Sequence, residues 1–193
     1  ATYGAEGVWS NDYVGVWHME EDPSAGDVLD STSNNLDATP GGTMTSTDLV
    51  SGSVGNAIDF DGVNDVLNAG TQTFGLTSLN ISAWIKPDPF GENQAGRILD
   101  ISDGLTEGYF SYVSDSLNGV RFYTVTSGTD PRWASELNSI VVNNTYHVAT
   151  QISDVSNTSL NPEIYIDGVS NTVSEETSQT GSYVEQTATS LLL

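Results

Sequence analysis

Leu79-Asn80-Ile81-Ser82-Ala83-Trp84-Ile85-Lys86, closed by Pro87, decides the fold. Ile81, Ala83 and Ile85 fall on one side of an extended chain, and Asn80, Ser82, Trp84 and Lys86 fall on the other. This period of two belongs to a half-buried β-strand. Pro87 lacks the N–H needed to continue a ladder, so the strand stops there. Similar short runs lie at 14–19, 57–60, 65–68, 97–102, 109–114, 120–125, 146–152 and 163–166, separated by Gly, Asn, Asp, Ser and Pro. The run 163–166 meets Asp167-Gly168, a pair suited to a type I′ hairpin because both central residues need positive φ. Residues 20–54 are rich in turn formers and read as a long loop with short strands. Amphipathic helical stretches do not occur.

So many short strands in 193 residues predict one all-β domain, a two-sheet antiparallel β-sandwich. Its core is provided for by 37% hydrophobic residues, with 4 Trp, 8 Tyr and 5 Phe. The charge is one-sided: 26 Asp and Glu against 4 Lys and Arg give a net charge of -22. Such a field repels phosphate backbones and argues against nucleic-acid partners. No apolar run approaches the ~18 residues of a membrane helix, so no membrane insertion is expected. Cysteine is absent, which removes disulfides and thiolate metal sites. Three sequons, at Asn80, Asn143 and Asn157, give weak support for a secreted chain.

Several blocks carry a resemblance in order. They are Val14-Gly15-Val16-Trp17-His18-Met19-Glu20-Glu21, Asp30-Ser31-Thr32-Ser33-Asn34-Asn35-Leu36-Asp37-Ala38-Thr39, and Gly55-Asn56-Ala57-Ile58-Asp59-Phe60-Asp61-Gly62-Val63-Asn64-Asp65-Val66. Ile81-Ser82-Ala83-Trp84-Ile85-Lys86-Pro87, Tyr146-His147-Val148-Ala149 and Ile164-Tyr165-Ile166-Asp167-Gly168 follow. Together, over roughly residues 8–175, the chain resembles laminin-G-like, concanavalin-A-like jelly-roll modules of large prokaryotic surface proteins. The resemblance implies a sandwich over 14–193, with 1–13 as a linker or junction to an upstream domain. It also implies a final strand in a motif that this chain does not show, ending instead in Leu191-Leu192-Leu193. An open sheet edge completed by another chain is therefore one expectation.

The functional expectation is a non-catalytic extracellular or cell-surface module for recognition or adhesion. Its partner would be a glycan or another surface protein. The alternative is a spacer or filament subunit that self-associates through the open edge. A polysaccharide hydrolase is the weakest reading: Glu20-Glu21-Asp22 begins the E-x-D-x-x-E strand of related glucanases, but Pro23 breaks the strand and Ala25 stands at the second glutamate's place. His18 and His147 read as structural. Sugars pack their apolar faces on aromatic rings, and Trp133 with Arg132 and Tyr109 is the candidate ligand set. Core packing of Trp133 is the rival reading. The family pattern puts Trp84 in the core. Asp30, Asn34, Asn35, Asp61 and Asp65 offer hard oxygens for a structural calcium. Asx-turns, in which the same side chains bond their own backbone, are the rival reading.

Overall fold

A computed structural model describes residues 8–10, 12–72, 78–88, 95–102, 108–114, 116–154, 161–184 and 189–193. Of the expected junction over 1–13, residues 1–7 and 11 lie outside these, as does the sequon residue Asn157. The chain forms two compact units, Ala1–Gly70 with Leu192, and Thr71–Leu191 with Leu193. Strands are the main regular element of both, and among the described residues the helical element is a three-residue 3-10 turn, Ser46–Asp48.

The first unit contains β1 (Thr39–Gly41), β2 (Leu49–Ser51), β3 (Asn56–Ile58) and the start of β4 (Val66–Gln72). β1 runs antiparallel to β4, with Gly41 opposite Val66. β2 and β3 form a hairpin that pairs Leu49 with Ile58. The strand expected over 14–19 is reduced to one bridge, Trp17 to Asp30. Two local features explain this. The Val16 N–H is taken by the Asp30 carboxylate instead of a ladder carbonyl, and Met19 adopts φ +58°, which ends extended geometry.

The second unit holds β5 (Leu79–Ile85), β6 (Ala95–Ser102), β7 (Gly108–Ser114), β8 (Gly119–Thr124), β9 (Arg132–Ala134), β10 (Tyr146–Ile152), β11 (Glu163–Ile166), β12 (Val169–Asn171), β13 (Ser174–Thr177) and β14 (Thr189–Leu192). Within it one sheet runs β14-β6-β7-β8-β9-β13 and the other β12-β11-β10-β5. The β11–β12 hairpin turns through Asp167 at φ +51° and Gly168 at φ +76°, the two positive values that a type I′ turn demands.

Alternation aims one side of each sheet at a shared core. Val113 and Val120 of the first sheet meet Val148, Ile164 and Ile166 of the second, with Ile140 from a connecting segment. Removing each such aliphatic side chain from water contributes about 1.5–3 kcal/mol. Phe122 and Trp133, fully buried, extend the core with ring centroids 6.2 Å apart.

The two-sheet antiparallel arrangement is the one the alternation predicts. The question of a final strand is answered by β14, built from the apolar C-terminal run itself and placed beside β6. That run thus has a partner in its own chain. The expectation of a sandwich closed by a foreign strand loses the observation that motivated it.

Candidate functional site

The aromatic chosen from sequence as the sugar contact is not available for one. Trp133 lies in β9 with 1% of its surface exposed, and its indole N–H donates to Asn161 Oδ1 at 3.0 Å. The Asp130-Pro131-Arg132 run beside it suggests a loop, but the strand alternates: Trp133 opposite Phe122 points inward, and Arg132 opposite Tyr123 points outward. Arg132 carries an ion pair to Glu176 at 3.0 Å. Tyr109 sits in β7 opposite Thr124, and its side chain lies outside the described residues.

The exposed tryptophan is Trp84, at 57%. The expectation that it fills the core is therefore corrected. Its position in β5 puts it on the side opposite Ile81, Ala83 and Ile85, as the alternation dictates. Cross-strand partners share a face. Trp84 stands opposite His147, Ser82 opposite Ala149, and Asn80 opposite Gln151. On the next strand Ala149 is opposite Tyr165 and Gln151 opposite Glu163, and Tyr165 is opposite Ser170 of β12. The outer face of this sheet is thus paved with Trp84, His147 and Tyr165 among Asn80, Ser82, Gln151 and Ser170.

The geometry of this face is ordered by its own contacts. The Trp84 and His147 rings lie 5.3 Å apart at 59°. The His147 backbone is fixed by the hairpin turn: His147 N–H donates to Asp167 Oδ1 at 2.9 Å, and Asp167 N–H donates to the His147 carbonyl at 2.8 Å. Tyr165 donates its hydroxyl to Glu163 Oε2 at 2.7 Å. That hydrogen bond, with the adjacent negative charge, raises the phenol above its ordinary value and keeps it protonated. Trp84 and Tyr165 are two strands and one pleat apart, roughly 12 Å between Cα atoms by sheet spacings. Small Ser82 and Ala149 lie between them. Two rings at that separation over a low floor suit an extended ligand rather than a compact one.

The three arginines of the chain occupy the other sheet. Arg97 in β6 is opposite Tyr112, Tyr112 is opposite Arg121 in β8, and Tyr123 is opposite Arg132 in β9. Two carboxylates serve the three. Arg97 pairs with the buried Asp100, Arg121 binds both Glu176 oxygens at 2.7 Å, and Arg132 shares Glu176. Arg132 Nε has ion-pair distance but poor hydrogen-bond alignment. The Tyr123 phenol is pushed up by burial and by its hydrogen bond to Asp130. Three guanidinium groups thus share two carboxylates, and Glu176 ties β13 to β8 and β9.

In the oxygen-rich loops many of the acceptors that could meet calcium already hold hydrogen bonds. The Asp30 Oδ1 accepts from Val16 N–H and Thr32 N–H, each at 2.9 Å. Its Oδ2 accepts from the Thr32 hydroxyl at 2.7 Å and Leu36 N–H at 3.0 Å. Four donors use the four acceptor positions of a carboxylate. Burial alone pushes this carboxyl up, yet the hydrogen bonds from Val16, Thr32 and Leu36 outweigh it and hold the group below its ordinary value. Asn34 donates its amide to the carbonyls of Tyr13 and Val14, and Asn35 to that of Ser33. Asp61 accepts from the N–H groups of Val63, Asn64 and Asp65, and these bonds lower it likewise. Asp65 accepts from Thr43 N–H and Asp61 N–H. Among the described residues no three His, Cys, Asp or Glu come together as a metal centre. The Asp30 carboxylate is thus filled by the turn it closes, and Asp61 and Asp65 each accept backbone N–H groups.

A family model described as the concanavalin A-like lectin/glucanases superfamily matches residues 61–192, about two thirds of the chain. The match runs from the turn before β4 through β14, so it includes the terminal strand and the whole Trp84 face. The blocks at 14–21 and 30–39 precede it. No curated protein and no solved structure matches the chain.

Proposed function

This chain belongs to the concanavalin A-like lectin/glucanases superfamily, and we propose that it is a non-catalytic, extracellular carbohydrate-recognition module that holds a glycan on the outer face of β5, β10, β11 and β12. The observation that carries the reading is Trp84, an indole that is 57% exposed on a regular sheet and backed by His147. Aromatic rings with flanking amides and hydroxyls are what the two-sided chemistry of a sugar ring requires, and the Trp84 and His147 rings lie together on that face. Asn80, Ser82 and Gln151 supply groups that donate and accept to hydroxyls. The non-catalytic part of the reading is supported by the sequence, where Pro23 interrupts the one approach to a paired-carboxylate strand, and by Glu20, whose Oε1 accepts from Asn56 N–H.

The test is a glycan array followed by calorimetry with the full chain and with Trp84→Ala. Binding that falls at least about tenfold in the variant, at unchanged thermal stability, supports the reading. Binding insensitive to the substitution, or turnover of a polysaccharide, contradicts it.

A further inference from the structure

We propose that the Trp84 face selects uncharged glycans and rejects polymers carrying uronate or sulfate groups; this rests on the carbohydrate reading above and adds the chemical class of ligand. Anionic sugars are normally held by guanidinium groups, which pair bidentately with carboxylate and sulfate oxygens. Here Arg97, Arg121 and Arg132 all lie in the other sheet and are each engaged by Asp100 or Glu176. The cation beside the Trp84 face is Lys86, exposed and directly following β5. The same face carries the carboxylates of Glu163 and, at the turn, Asp167, and the chain as a whole has a net charge of -22. A polyanion approaching the face meets a field of its own sign, with Lys86 as the neighbouring cation and the arginines on the other sheet. Ser82 and Lys86 flank the indole along its own strand, and the uncharged Asn80, Gln151 and Ser170 lie farther out on the same face. Amides and hydroxyls both donate and accept, matching sugar hydroxyls without requiring a charge.

The decisive comparison keeps the glycan backbone and changes its charge alone. The full chain is titrated with soluble neutral polysaccharides, a mixed-linkage glucan, a galactan and a galactomannan, and with the carboxymethylated derivative of whichever binds. The expected result is binding of a neutral polymer that weakens about tenfold or more on carboxymethylation, and recovers partly as salt rises from about 0.05 to 0.5 M. Affinity for the neutral polymer should change less than about twofold over the same salt range. A carboxymethylated polymer that binds as tightly as its parent, or a sulfated galactan that binds more tightly than the neutral one and is released by salt, overturns the selectivity while leaving the Trp84 face in place. Failure of every polymer, neutral and charged, overturns the carbohydrate reading itself.

Discussion

Trp84 of β5 stands directly opposite His147 of β10, their ring centroids 5.3 Å apart and their planes inclined at 59°. The pair is set by register. Ile81, Ala83 and Ile85 must face the core, and this forces Trp84 outward. Val148 and Thr150 must do the same in β10, which sends His147 to the same outer face.

The two tryptophans Trp84 and Trp133 should respond oppositely to truncation. Trp133→Ala removes a fully buried indole packed on Phe122 and leaves Asn161 without its donor. Urea unfolding should show a loss of about 3–5 kcal/mol. Trp84→Ala removes an exposed ring, and its effect should stay within about 1 kcal/mol. Equal losses would mean that the inward and outward sides of the sheets are wrongly assigned.

Asp30 should behave as a structural carboxylate whose contribution depends on pH. Its folded value is lowered, so its stabilisation is fully present above the unfolded carboxylate value near 3.9 and fades as pH falls through the folded value. Asp30→Asn leaves donors facing an amide N–H₂ and should cost about 1.5–3 kcal/mol at pH 7. The gap between variant and parent, measured by denaturant midpoints, should narrow near pH 3. A gap that is constant with pH would show that the ionised form is not what the loop uses.

Calcium should leave the thermal midpoint unmoved. With both Asp30 oxygens committed to Val16, Thr32 and Leu36, and Asp61 Oδ1 to Val63, Asn64 and Asp65, adding millimolar calcium or excess EDTA should shift the midpoint by less than about 1 °C. A calcium-dependent rise of several degrees would demonstrate a ligated ion and a rearranged loop.

Glu176 holds β13 through Arg121 and Arg132. Both arginines and the glutamate are partly solvated, so Glu176→Gln should cost only about 1 kcal/mol, and less at high salt. The effect should be local, with faster amide exchange at 174–177 and no change at β10 or β11. Global acceleration of exchange would contradict a purely local tie.

Legibility in the sequence followed how far each signal was local. Alternation located β5, β7, β8, β10 and β11 within a residue or two, because a half-buried strand writes its burial directly into the residue pattern. The Asp167-Gly168 turn was equally readable, since its backbone demands specific residues. The short strand β9 was missed because three residues hold less than two periods and Pro131 beside Arg132 mimics a loop, and β13 because Ser174-Glu175-Glu176-Thr177 contains no apolar residue to alternate. The 14–19 strand was overread, because nothing local reveals that Asp30, fourteen residues on, captures the Val16 N–H. The candidate site shows the same limit. The pattern around Trp84 put it on the polar face with Asn80 and Ser82, while the family resemblance put it in the core, and the pattern was correct. Its neighbour His147 became visible only through the β5–β10 register, which no short window contains.

Chemical-shift mapping of the labelled chain with a neutral oligosaccharide probes the central claim most directly. Perturbations should centre on the Trp84 indole N–H and spread to His147, Ala149, Gln151 and Tyr165, leaving Trp133 unmoved. Shifts gathered instead around Arg97, Tyr123 and Arg132 would move the ligand to the opposite sheet and contradict the account.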